Sequence, residues 1–271
     1  MHGRNFTLIN KNLSESGVEV LDLCSKSLFH TMLPKKIIND MKPDVVRTLN
    51  DPNAESYDLN LAGRIENGLQ VKLDISQSGE GVSTFVKLAE DLGTSYVERF
   101  FGRTFGDSKA FEGKVTMNDI WIVSQRENDY NPLHIHNNAS PAGLSGVVYI
   151  EVPQQLEDKD SSVVRRKDGQ DGWLNIVFGT QTQVDMNNFA GPECFSFEPI
   201  PGRLLLFPQN TPHLVYPFKG SGDRICVAFN LNVWYRQSGI TQFIDLLQGA
   251  GIEFEDYSRS RSKPGISQNK K

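Results

Sequence analysis

Cysteine is scarce: Cys24, Cys194 and Cys226 are the only three in 271 residues. They are too few and too scattered for a disulfide framework or a cysteine-based zinc site, and a reducing, cytoplasmic setting is the expectation. The opening Met1-His2-Gly3-Arg4-Asn5 lacks the apolar core of a signal peptide. No window approaches the roughly 18 apolar residues that a bilayer span requires, so no membrane association is expected. Positive charge is not in excess either. Lys and Arg number 28 against 33 Asp and Glu, a net charge of −5, which argues against a broad basic footprint for nucleic acid. The dense basic stretch is the tail from Arg259 to Lys271.

What is present is enough apolar material for a sizeable core: 38% hydrophobic and 23% charged residues, with 23 Gly and 13 Pro. Residues 14–110 carry a mainly helical pattern. Ile38, Met41, Val45 and Leu49 share one face and Val82, Phe85, Ala89, Leu92, Tyr96 and Phe100 another. Pro34 suits a helix start, and Pro43 is expected to kink or divide that helix. Asn60-Leu61-Ala62-Gly63-Arg64-Ile65 reads as extended or turn-like.

From about residue 114 the period drops towards two and turn residues recur at short intervals. Eight strands are expected near 115–124, 131–136, 145–152, 173–179, 193–198, 203–207, 213–217 and 224–234. Eight antiparallel strands under a helical layer match a double-stranded β-helix, the jelly roll of cupins. The expected organisation is a helical N-terminal region over 1–113 packing on the barrel, a jelly-roll core over 114–236, a short C-terminal element over 237–257 and a disordered tail over 258–271. The charged connection Gln154 to Asp171 reads either as a lid over the site or as a solvated link.

Three of the five histidines fall in the β region. In a strand, His134 and His136 project to one face while Ile135 takes the other, and His213, reached through the turn and strand Pro201 to Pro208, could close a three-nitrogen metal face. An H-x-H pair alone is equally compatible with ordinary structural histidines. The stretch Arg224 to Asn232 adds a second signal. Ile225, Val227, Phe229 and Leu231 should pack outward against the helices, leaving Arg224, Cys226, Ala228, Asn230 and Asn232 on the inner face. A buried guanidinium needs an anion, which is either a structural Asp or Glu or a bound carboxylate.

Together, Asn131-Pro132-Leu133-His134-Ile135-His136, Leu144-Ser145-Gly146-Val147-Val148-Tyr149-Ile150, Val152-Pro153, Pro201-Gly202, Phe207-Pro208, His213 and Arg224 resemble the iron(II)/2-oxoglutarate-dependent oxygenases. Within that superfamily the chain is similar to a bacterial and phage branch with an H-x-H element. The resemblance is clearest over residues 118–234, with a weaker echo in Asn60 to Gly63. It implies a hydroxylase that binds Fe(II) through His134, His136 and His213, takes 2-oxoglutarate as cosubstrate on Arg224, and releases succinate and carbon dioxide. Tyr149, Cys226 and Asn230 are the further cofactor-binding candidates, Tyr149 being equally readable as core. The implied partner is a small-molecule or peptide substrate.

Two positions depart from the family pattern. His136 stands where an Asp or Glu ligand is usual, and Cys226 where many relatives carry a Ser beside the distal carboxylate. The register His136, Asn138 and His213 has the same spacing but offers an amide ligand. Two other functions also remain open at the level of sequence: a three-His cupin-type metal dioxygenase without 2-oxoglutarate, and a non-enzymatic jelly-roll binding protein. Trp121 and Trp173 read as core. Ser145 has no visible general base.

Overall fold

The computed structural model describes residues 27–57, 63–136, 142–157, 170–179 and 194–235. The elements run β1 (Phe29–Met32), α1 (Lys35–Leu49), β2 (Leu69–Lys72), α2 (Glu80–Phe105), β3 (Gly113–Gln125), β4 (Asn131–His134), β5 (Gly143–Glu151), α3 (Gln154–Glu157), β6 (Leu174–Val177), β7 (Cys194–Phe197), β8 (Arg203–Pro208), β9 (His213–Val215) and β10 (Arg224–Tyr235). A six-stranded sheet in the order β1-β8-β5-β10-β3-β2 faces a four-stranded sheet in the order β4-β9-β6-β7, every pairing antiparallel. From β3 onward the chain shuttles between the two sheets, which is the expected jelly roll. The eight strands expected from the sequence are β3 to β10.

The alternation in β10 sets the layers. Ile225, Val227, Phe229 and Leu231 are buried in one apolar cluster with Ile38, Met41 and Val45 of α1 and Val82, Phe85 and Ala89 of α2, so the helices cover the outer face of the large sheet as their periodicity predicts. Phe85 meets Phe229 edge to face at 5.4 Å. The two helices are tied end to side by Asp44, whose carboxylate accepts from Gly79 N at 2.8 Å and pairs with Arg47 at 2.8 Å. Gly106 ends α2 at φ 77°, its N–H bonded to Gly102 O, a left-handed conformation that glycine adopts without penalty.

Three expectations need correction. Pro43 does not divide its helix: α1 runs unbroken from Lys35 to Leu49, held against the sheet by the fully buried Met41 and Val45 on either side of the proline. Phe100 is 41% exposed rather than on the core face; its neighbour Phe101 turns inward to Phe111 and Tyr235. The N-terminal region is also not wholly helical, since β1 and β2 add one strand to each edge of the large sheet. Asn60 to Ala62, residues 158–169 of the charged connection, and the C-terminal element and tail lie outside the described residues. No helix among the described residues is long and apolar enough to cross a membrane.

The close packing of the large sheet predicts one strong stability effect. A Cβ at Gly146 would stand 2.2 Å from Cζ of Phe229, a fully buried ring. Gly146→Ala is therefore expected to cost about 1–3 kcal/mol or more by overpacking. Urea denaturation checks this, and an unchanged midpoint would mean that the Phe229 ring can turn aside.

Candidate metal centre

His134 is the last residue of β4, and His213, its cross-strand partner, is the first of β9. Directly opposed residues share a face, so the register alone brings these two imidazoles together. The strand expected over 131–136 stops at His134. His136 follows in irregular backbone, anchored by its N–H to Gln209 O at 2.9 Å, and its ring still returns to the same side. Ring centroids are 4.2 Å apart for His134 and His213, 4.9 Å for His136 and His213, and 5.2 Å for His134 and His136. One nitrogen of each lies within 4.8 Å of the others. Asn138, the alternative ligand considered above, lies outside the described residues.

The second nitrogen of every ring is committed elsewhere. His134 Nδ1 donates to Pro132 O at 2.7 Å, His213 Nδ1 to Thr211 O at 2.9 Å and His136 Nδ1 to Asn230 Oδ1 at 2.8 Å. Each acceptor fixes the Nδ1–H tautomer and leaves the Nε2 lone pair free. Nε2 of His134 and Nε2 of His136 then face each other at 3.3 Å. Burial keeps the rings neutral: desolvation pushes His213 down to about 3 and His136 to about 4, and lowers His134 as well. Three neutral lone pairs converging in a desolvated space repel one another until a cation stands between them, so the donor set fits a divalent metal ion.

The interior of the large sheet is stacked in layers that the register of β3, β10 and β5 defines. Gln125 and Arg224 form the layer at one end; Val123, Cys226 and Tyr149 come next, then Trp121, Ala228 and Val147, and last Asp119, Asn230 and Ser145. One cavity is lined by residues of these layers, among them Arg224, Tyr149 and Trp121, together with all three histidines. Arg224 points inward, as the alternation predicts, and is 2% exposed. Its Nη1 donates to Gly172 O at 2.5 Å, while Nε is buried without a partner. Its guanidinium carbon lies 5.6 Å from the centre of the Tyr149 ring. Among the described residues no Asp or Glu pairs with it. The Cys226 thiol is raised by burial and contacts Arg224, which acts in the opposite direction. Burial pushes the Tyr149 hydroxyl up to about 12, so it stays a neutral phenol.

Two positions carry roles that their residue types alone do not reveal. Asn230 sits behind His136 rather than beside Arg224, its Oδ1 also accepting from Ser145 Oγ at 2.8 Å. Trp121 is buried, yet it is a wall of the cavity, 5.8 Å from the His136 ring and stacked on Tyr57 at 5.2 Å. An asparagine among apolar strand residues carries no local signal that distinguishes these uses. Trp173 is only half-buried.

Residues 119–230 match the model of the family described as "Putative 2OG-Fe(II) oxygenase". No curated protein sequence matches the chain. Among solved structures, the chain is similar to the non-heme alpha-ketoglutarate-dependent epimerase SnoN of nogalamycin biosynthesis, at TM-score 0.50 and 14% identity, over 84% of this chain and 88% of that one. It is also similar to a Pseudomonas putida prolyl-4-hydroxylase at TM-score 0.49 and 15% identity, over 80% and 96% of the two chains. The likeness to SnoN shows the fold, and the matched segment contains all three imidazoles, Arg224 and Asn230. The part of the chain that carries the candidate site, residues 119–230, is thus similar to the 2OG-Fe(II) oxygenases.

Proposed function

We propose that His134, His136 and His213 are the iron(II) ligands of this oxygenase and that Arg224 receives the distal carboxylate of 2-oxoglutarate. The observation that carries the reading is the tautomer set: three Nδ1–H groups tied to acceptors and three Nε2 atoms turned towards one another. When bound there, iron(II) and 2-oxoglutarate supply the oxidising chemistry, consuming dioxygen and releasing succinate and carbon dioxide as a substrate C–H bond is hydroxylated.

The chain's own residues supply binding, orientation and exclusion of water. Three neutral imidazoles leave the metal's full charge for an anionic cosubstrate to balance, which suits His136 in the place of a carboxylate. Arg224, buried and without a carboxylate partner among the described residues, supports a cosubstrate anion over a three-His dioxygenase that uses none. Tyr149 and Cys226 flank that anion site, with the thiol the weaker donor. Asn230 and Ser145 orient His136 rather than touch cosubstrate. Cys226 is a buried free thiol, in keeping with a reducing, cytoplasmic compartment. The test is anaerobic loading with iron(II) and 2-oxoglutarate followed by oxygen exposure: succinate is expected, and its absence from iron-loaded protein would count against the reading.

Proton competition follows from burial. Folding lowers the pKa of His136 to about 4 and of His213 to about 3, against about 6.5 in an unfolded chain. The unfolded chain therefore binds more protons below about pH 6.5, and the metal-free fold loses stability as pH falls from there towards about 4. In the folded protein His136 and His213 are still neutral down to about pH 5, and burial shifts His134 in the same direction. Zinc(II) affinity is thus expected to hold nearly constant from neutral pH to about 5, below the onset near 6.5 that unperturbed histidines would give. Calorimetric titrations at several pH values decide it; a steep loss beginning near pH 6.5 would contradict the burial argument.

A further inference from the structure

The layer of Asp119, Asn230 and Ser145 contains a feature that neither iron nor 2-oxoglutarate uses. The ladder between β3 and β10 is regular until Asn230, which pairs with Asp119; the next residue, Leu231, pairs with Met117, leaving Asn118 as an inserted residue. Such a bulge re-aims side chains, and here it brings both Asn118 and Asp119 to one cluster. Asn118 Nδ2 donates to Asp119 Oδ2, Asn232 Nδ2 donates to Asn118 Oδ1 at 2.9 Å, and the Tyr57 hydroxyl bonds Asp119.

The polarity of this chain is fixed by its first member. A carboxylate accepts only, so Asn118 must turn its NH₂ to Asp119 and its oxygen to Asn232, which leaves Asn232 Oδ1 as an acceptor. That atom is buried and has no partner, on a residue only 7% exposed. Asp119 has room for further donors beyond Asn118 and Tyr57, and among the described residues it forms no ion pair. One buried acceptor without a partner, in a cluster with a carboxylate that has no ion pair among the described residues, asks for a ligand that is rich in N–H and positive. The cluster also adjoins the metal centre. Asp119 is the cross-strand partner of Asn230, whose Oδ1 holds His136 at 2.8 Å, and opposed residues lie about 5 Å apart between Cα atoms.

We infer that Asp119, Asn118 and Asn232, with Tyr57, form a substrate subsite that takes an ammonium or guanidinium group and so brings a cationic substrate to the metal. As a substrate subsite it rests on the reading of the three histidines as ligands. The subsite distinguishes substrates by charge: an amine- or guanidine-bearing molecule, free or as a basic side chain of a peptide, is accepted, and an acidic one is repelled by Asp119.

The test uses the full chain loaded with zinc(II) and 2-oxoglutarate, titrated with butylammonium and butylguanidinium and with the uncharged butanol and butylurea, followed by saturation-transfer NMR. The cations are expected to bind and the neutral compounds to bind at least about tenfold more weakly, because the charge-assisted bonds are lost. Asp119→Asn should weaken cation binding by about tenfold, and Asn232→Leu, which removes the unpartnered acceptor at similar volume, should weaken it as well. Zinc and 2-oxoglutarate affinities measured on the same samples should stay unchanged in both variants, which separates loss of the subsite from misfolding. Equal binding of charged and neutral probes, or cation binding indifferent to both substitutions, would overturn the inference. So would absence of cation binding in protein that holds zinc and 2-oxoglutarate. A cation preference that follows Asp119 in protein unable to hold zinc would support the subsite and overturn the metal assignment instead.

Discussion

Replacing His213 with alanine is expected to abolish tight metal binding, with a loss of affinity on the order of a hundredfold or more, beyond what removal of an orienting partner alone usually costs. His213 is 5% exposed, is the cross-strand partner of His134 and presents Nε2 to both other imidazoles, so its loss opens one side of a three-nitrogen set that no neighbouring group can close. Asn230→Leu provides the graded comparison. It deletes the acceptor that fixes His136 Nδ1 and strands Ser145 Oγ, yet leaves every imidazole in place, and should weaken metal binding by about tenfold. Anaerobic equilibrium dialysis with iron(II), or calorimetry with zinc(II), measures both. Wild-type affinity in His213→Ala would remove it from the ligand set, and an effect of Asn230→Leu as large as that of His213→Ala would mean that His136 collapses without its partner.

Arg224 is the second position where a single substitution should be decisive. Its guanidinium is buried and lines the cavity, with Nη1 bound to Gly172 O and Nε without a partner. A carboxylate arriving there completes a buried charge pair, and removing one member of such a pair costs about 2–5 kcal/mol, or roughly thirtyfold in affinity at the lower end. Arg224→Ala is therefore expected to bind 2-oxoglutarate at least about thirtyfold more weakly while holding iron as before. Arg224→Lys keeps the charge but loses the planar fork and should fall between the two. Iron and cosubstrate titrations on each variant separate the effects. Unchanged 2-oxoglutarate affinity in Arg224→Ala would place the anion site elsewhere.

The parts of this molecule that the sequence makes legible are those in which a period and a burial pattern coincide. In β10, alternate residues fall into the helix-covered core and into the cavity, so Arg224 could be assigned to the interior before any coordinates. β1 and β2 escaped because they are four residues long, lie at sheet edges and carry little alternation: three residues of β1 are exposed. The histidine set was legible as residue types, but the reason first given for His136 was incomplete. A continuous strand would place it by alternation, whereas β4 ends at His134 and the backbone bond to Gln209 does the placing. The Asn118 bulge and the bond from His136 to Asn230 depend on contacts between distant strands. The bulge shifts the helix-facing set from Val115 and Met117 to Ile120 and Ile122, but Trp121 and Val123 on the inner face are apolar too and mask that change of phase.

The central claim is that three histidines hold iron(II) in the cavity where Arg224 anchors 2-oxoglutarate. Its most direct test is the visible charge-transfer absorption that appears when 2-oxoglutarate chelates protein-bound iron(II), recorded anaerobically during titration. The wild-type protein should develop the band, His213→Ala should not at any 2-oxoglutarate concentration, and Arg224→Ala should develop the same band only at much higher concentration. A wild-type protein that binds iron yet shows no band, or a His213→Ala protein with the wild-type band, would contradict the account.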